Sequence, residues 1–155
     1  SMVAKVGAAF GMEVVCWSPN MTKERAAAGG CQFLPLDELL RSSKIMTLHL
    51  VAGQGTKGLI NLDRLSLMRP DSILVNTSRS ALIVMSDLIA ALKQGRPGQA
   101  ALDVFDIEPI PANSELRSLP NLLMTPHLGF IAEPIFKNFA KGMVETLDEI
   151  GRAHV

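Results

Sequence analysis

An excess of either charge is missing from this sequence. Fifteen Lys+Arg stand against fifteen Asp+Glu, so the formal net charge is zero. That balance lacks the basic footprint of a nucleic-acid binder, and no nucleic-acid partner is expected. Long apolar runs are missing too: no uninterrupted stretch approaches the roughly 20 residues that span a bilayer, so no membrane partner is expected. No secretory leader pattern stands at the N-terminus. Cysteine is scarce. Cys16 and Cys31 form no CxxC, and two cysteines are too few for a disulfide framework. Cys16, inside the apolar "EVVCW", reads as a small buried hydrophobe rather than a ligand. These absences leave a reduced, soluble, cytoplasmic protein as the expectation.

What is present suits an ordinary core. At 155 residues, 48% hydrophobic and 19% charged, the chain fits one domain. Apolar runs rich in β-branched residues predict strands in "EVVCW", "CQFL", "KIMTLHLV", "DSILVN", "GQAALDVF" and "NLLMTP". Between them, "TKERAAAGG", "PLDELLRSS", "NLDRLSLM" and "SDLIAALKQG" have helical composition. Thr22 and Ser86 stand where caps are expected, and glycines or Arg69-Pro70 follow as stops. "VAKVGAAFGM" opens the chain as a helix that ends near Gly11, and "EPIFKNFAKGMVETLDEIGR" closes it as a long one. Met46, Met68, Met85, Met124 and Met143 read as core filling. "RAHV", with His154, reads as a loose end.

Alternating helix and strand with short connections predicts a parallel sheet with helices on both faces, a doubly wound α/β fold. Right-handed crossovers bring the strand C-terminal ends to one edge, where ligands of such sheets bind. Three predicted strands end in chemically capable residues there. "DSILVN" leads to Arg79, "GQAALDVF" to Asp103 and Glu108, and "NLLMTP" to His127. A glutamate beside a histidine orients the imidazole for acid–base work. An arginine offers a planar charged fork to a carboxylate. Together they suit reduction of a 2-keto acid, with hydride supplied by a cofactor. Plainer readings stand beside this one: a loop histidine bonded to backbone, a surface ion pair for Arg79, a turn residue in Glu108 and a strand-end cap in Asp103.

The stretches "TLHLVAGQGTKGLIN", "VNTSRSALIVMSDLIAALKQG", "GQAALDVFDIEPIP" and "LPNLLMTPHLGF" occur in order over most of the chain. They resemble the cofactor-binding domain of the D-isomer-specific 2-hydroxyacid dehydrogenases. The resemblance implies a Rossmann-like domain, NAD or NADP as cofactor, and interconversion of a small 2-keto acid and a D-2-hydroxy acid. It implies Arg79 as the carboxylate-binding arginine, His127 as the acid–base histidine and Glu108 as its partner. Asp103 would contact the nicotinamide carboxamide. Thr77, Ser78 and Gly129 would line the cofactor groove, and His49 would lie near the adenine, its plainer alternative being a core histidine. A dimer is expected. A corepressor-like interaction protein that senses nicotinamide, or an inactive fragment, are the other functions such a fold would serve.

Three features depart from the family pattern. The strand and G-x-G-x-x-G loop that precede the first helix are absent, and so is the substrate domain, so residues 1–155 are expected to be part of a dinucleotide-binding domain. Gly7 and Gly11 do not replace that loop. Ser18 stands where an acidic residue binds the adenosine ribose. NAD versus NADP therefore stays open, with Lys23 or Arg25 able either to pair with a 2′-phosphate or simply to face solvent. Ser80, Val84 and Met85 replace a glycine and an acidic pair after Arg79.

Overall fold

Residues 2–153 are described by the computed structural model, and they alternate helix and strand as the periodicity predicts. The order is α1 (Met2–Ala9), β1 (Val15–Cys16), α2 (Lys23–Ala28), β2 (Gln32–Phe33), α3 (Leu36–Ser42), β3 (Ile45–Leu48), α4 (Leu62–Leu67), β4 (Ile73–Asn76), α5 (Met85–Lys93), β5 (Gln99–Leu102), β6 (Leu122–Met124) and α6 (Glu133–Ala153). Of the expected loose end, Arg152 and Ala153 continue α6, whereas His154 and Val155 lie outside the described residues.

Local chemistry explains several boundaries. The Thr22 side chain accepts the Arg25 amide at 3.3 Å and starts α2. Asn61 does the same for Arg64 at 3.1 Å and starts α4. Gly95, just beyond α5, has φ 72°, the left-handed conformation that glycine adopts without strain. One expected cap is corrected. Ser86 lies inside α5, and Val84 occupies the cap position with no side-chain bond. A bridge pairs Ile83 with Ile60, and the Val84 amide donates to Ile60 O at 3.0 Å. That pairing holds the chain extended up to Val84, and helical geometry begins at once. Asp87 then uses its carboxylate to accept the Leu62 amide at 2.9 Å, tying α5 to the start of α4.

The strands form two parallel units: the pair β1–β2 and a four-stranded sheet in the order β3-β4-β5-β6. Register aligns Leu48, Asn76, Leu102 and Met124 in one row at the C-terminal ends. The next row is therefore His49, Thr77, Asp103 and Thr125. Ladder bonds continue into it, from the Asp103 amide to Asn76 O and from the Thr125 amide to Leu102 O, both at 3.0 Å.

The core lies on one face of this sheet. Met46, Leu48, Leu74, Ala100 and Leu102 pack with Leu39, Leu40, Leu65, Leu88 and Leu92 from α3, α4 and α5, and with Met68 just beyond α4. Alternation along each strand makes this inevitable, since every second residue faces the same side. Met85 and Met124 pack at the edge of the core. Met143 does not belong to it: it lies on α6 and is 63% exposed. A parallel sheet flanked by helices, with loops gathered beyond the strand C-termini, is a Rossmann-like α/β arrangement.

Candidate active site

The loop after β4 is built on a buried asparagine. Asn76 is fully buried at the strand end. Its Nδ2 donates to Arg79 O at 2.8 Å, and its Oδ1 accepts the Ser78 amide at 3.0 Å. The Ser78 hydroxyl donates to Leu50 O at 3.0 Å and ties this loop to the end of β3. The Arg79 backbone is thus held on both sides while its guanidinium stays exposed. Nη1 donates to Ser78 O at 2.7 Å, and no carboxylate among the described residues pairs with Arg79. The surface ion pair is not realised, and the fork remains open to an anion. Ser80 enters a 3-10 turn over Ser80–Leu82 with φ in the ordinary negative range, so serine in place of glycine is unstrained there.

Glu108 and His127 meet across the next two loops. Glu108 Oε1 accepts the Phe105 amide, and Oε2 lies 2.8 Å from His127 Nδ1. Hydrogen bonding from His127, then from the Phe105 amide, holds the Glu108 carboxyl below the usual carboxylate range. Glu108 is therefore an ionised acceptor, and Nδ1 must be the donor, which leaves Nε2 free. The imidazole and the Phe130 ring meet edge-to-face, their centroids 5.6 Å apart and their planes at 87°. Both partners of the pair stay partly exposed, at 41% and 36% of their side chains.

Asp103 is only 3% exposed. Its carboxylate accepts the Thr125 hydroxyl at 2.5 Å and the amides of Leu128 and Gly129 at 2.7 Å each. Burial pushes its pKa up, but these three bonds and the nearby His127 outweigh it and hold the group below the ordinary aspartate value. A Cβ placed on Gly129 would lie 3.0 Å from Asp103 Oδ2 and 4.0 Å from Thr77 Cβ, so the loop after β6 lies directly against the loop after β4.

The other expected cofactor residues divide in two. His49 and Thr77 begin loops in the same row as Asp103. His49 is exposed and pairs through Nε2 with Thr47 Oγ1 at 3.0 Å, so it is not a core histidine. Ser18 follows β1 on the separate strand pair, where its carbonyl accepts the Met21 amide. Arg25 bonds Asn20 O at 2.5 Å and makes no ion pair, and Lys23 makes none either. A Thr77 hydroxyl and a His49 Nδ1 that make no hydrogen bond among the described residues fit the uncharged hydrogen-bonding parts of a dinucleotide. Among the described residues no group of three or more His, Cys, Asp or Glu is placed to hold a metal ion.

Some features escape a reading of the sequence. Asn76 and the Phe105 amide orient the site, and the signal for Asn76 is its phase: in "ILVN" it shares the core-facing side with Leu74. A second feature is misleading by spacing. Gly53-Gln54-Gly55-Thr56-Lys57-Gly58 matches G-x-G-x-x-G and follows β3. No helix opens within it, since α4 starts only at Leu62, and its donors are already used: Gly53 N to Thr56 Oγ1, Lys57 N to Gly53 O and Gly58 N to Ala81 O. It is a stapled turn rather than a phosphate cradle. Surface hollows of about 390 and 540 Å³ lie beside Asp37 and Arg64, and beside Lys23 and Cys31, away from the strand-end row.

The profile described as "D-isomer specific 2-hydroxyacid dehydrogenase, NAD binding domain" matches residues 1–129. The chain is 36% identical over 150 residues to a D-3-phosphoglycerate dehydrogenase of Synechocystis sp., covering 97% of this chain and 27% of that protein. It is 39% identical over 127 residues to a glyoxylate reductase of Aeropyrum pernix, covering 82% and 38%. A solved D-isomer specific 2-hydroxyacid dehydrogenase from Xanthobacter autotrophicus superposes with a TM-score of 0.85 at 32% identity, covering 97% of this chain and 49% of that one. The chain thus spans less than half the length of these relatives. With the order of its strand-end residues and the extent of these matches, the chain belongs to the D-isomer specific 2-hydroxyacid dehydrogenase family, through its NAD binding domain.

Proposed function

We propose that the whole protein interconverts a small 2-keto acid and a D-2-hydroxy acid by hydride transfer with NAD or NADP, and that residues 1–155 are part of its dinucleotide-binding domain. The observation that carries this is the 2.8 Å pairing of His127 Nδ1 with Glu108 Oε2 at the ligand-binding edge of a parallel sheet. With Nδ1 committed to ionised Glu108, Nε2 gives its proton to the substrate carbonyl oxygen in reduction and takes it back in oxidation. Arg79 holds the substrate carboxylate in its planar fork. A nicotinamide cofactor bound along this edge supplies or accepts the hydride. His49, Thr77, Ser78, Asp103 and Gly129 line its groove, and Ser18 faces the adenosine ribose. The partner is a small molecule, and the assembly we expect is a homodimer. The full-length protein should consume NADH or NADPH with glyoxylate, hydroxypyruvate or pyruvate. Cofactor binding without turnover of any of them would favour a nicotinamide-sensing interaction protein instead.

A further inference from the structure

The two cysteines take no part in the site described above, yet the fold brings them together. Both are free thiols and both are partly exposed. β1 and β2 run parallel, with Val15 opposite Gln32 and Cys16 opposite Phe33. Cys31, two residues before Phe33, therefore stands diagonally across from Cys16 on the same face. The two thiols are in hydrogen-bond contact, and burial, followed by the neighbouring Cys31, raises the Cys16 thiol above its ordinary value. Cys31 is the outer partner. It lines the hollow of about 540 Å³ whose walls include Lys23 and Glu38, and Cys16 is not among those walls. The Cys31 thiol donates only a 3.6 Å contact, to Gly29 O. Diagonal residues on neighbouring strands stand about 7–8 Å apart at Cα, just beyond the roughly 7 Å that a disulfide spans without backbone movement. Cys31 precedes β2, and its amide bonds Ala26 O at 3.0 Å, outside the ladder, so a small shift of this one residue closes the gap. A bridge closed in this way is more readily reduced than a relaxed structural one.

We propose that Cys16 and Cys31 form a reversible dithiol–disulfide site for low-molecular-weight, zwitterionic disulfides, with Cys31 as the attacking thiol and Cys16 as the resolving thiol. The ammonium of Lys23 and the carboxylate of Glu38 on the walls of the hollow suit a peptide-like molecule that carries both charges. The Cys31 thiolate attacks one sulfur of the small disulfide; that S–S bond breaks, and one small thiolate leaves. The Cys16 thiolate then attacks Cys31 Sγ of the mixed disulfide, and the second small thiolate leaves. The protein thiols lose two electrons and two protons, and the two small thiols gain them. The bridge closes a ring over residues 16–31, which contains Ser18, Lys23 and Arg25. A crosslink removes conformations from the loop it closes, so the oxidised loop adjusts less readily to a 2′-phosphate. That consequence rests on the cofactor reading above, whereas the thiol chemistry does not.

The test incubates the full-length protein with glutathione disulfide, followed by intact-mass measurement and peptide mapping without reduction. A crosslink between Cys16 and Cys31 is expected, at a mass two hydrogens below that of the reduced protein, and dithiothreitol should reverse it. Cys16→Ser should stop at a stable mixed disulfide on Cys31. Cys31→Ser should react about tenfold more slowly, because the inner thiol is shielded and its pKa raised. A mixed disulfide that persists on Cys31 in the wild type would overturn the proposal, as would an adduct that forms first on Cys16, or no reaction. Fluorescence titration of both forms then reads the coupling. Oxidation should raise the Kd for NADPH about fivefold, the lower end of couplings between linked sites. An unchanged Kd would overturn the coupling while the crosslink stands. If neither form binds a nicotinamide cofactor, the cofactor reading falls, and the crosslink alone decides the dithiol site.

Discussion

Arg79 and His127 differ in what their removal should change. His127→Ala deletes the atom that moves the proton, so kcat should fall about 10²- to 10⁴-fold. Arg79→Ala deletes the carboxylate fork, so KM for the keto acid should rise as well; steady-state kinetics on both variants separates the roles. Asp103 adds a pH dependence. Its native pKa is depressed, so its stabilisation is present above the unfolded aspartate value, about 3.9, and is lost as pH falls through the lower native value. Urea unfolding of wild type and Asp103→Asn should therefore show a stability gap near neutral pH that closes below about pH 4. A gap independent of pH would mean that the charge is not what stabilises the loop.

Two elements carry their own tests. The turn between α5 and β5 passes directly over the chain that leads into β4. A Cβ on Gly98 would sit 2.0 Å from Pro70 O and 3.0 Å from Pro70 C, both backbone atoms with no rotamer to yield. Gly98→Ala should cost about 3 kcal/mol, the upper end of overpacking, and appear as a lower Tm. The end of β1 bears on cofactor choice. Ser18 lacks the negative charge that repels a 2′-phosphate, and among the described residues Lys23 and Arg25 form no ion pair. The full-length enzyme should accept NADPH within about tenfold of NADH, a difference of only about 1.4 kcal/mol. An NADH preference of about a thousandfold in kcat/KM would show that Ser18 does not decide the choice.

For the whole molecule, the described residues leave apolar faces uncovered. On α6, Phe139, Met143, Leu147 and Ile150 follow one another at helical spacing, and each is more than half exposed. On α1 Met2 and Val6, and just after it Phe10, are also exposed. Apolar patches of this kind drive association. The 155-residue chain on its own should self-associate in light scattering, and Phe139→Lys with Leu147→Lys should shift it towards monomer. A monodisperse wild-type chain would show that these faces are too scattered to act together.

Much of this was legible in residue order. Alternating periodicity yields the helices and strands, because burial on one face imposes period 2 or 3.6 on the apolar residues. The parallel sheet follows from the short connections, and the placement of Arg79, Glu108 and His127 beyond strand ends follows from the sheet. Residue order did not reveal which donors Asp103 would gather, that Asn76 would hold the Arg79 turn, that Ser86 would fall inside a helix, or that Met143 would lie in solvent. Each depends on groups distant in sequence or on backbone amides that every residue carries alike. A carboxylate at a strand end looks the same whether it meets a cofactor or the amides of a loop 25 residues away. Local sequence determined the elements and the chemical types at their ends; the register of four parallel strands decided which of those types meet, because hydrogen-bond geometry acts over ångströms and not along the chain.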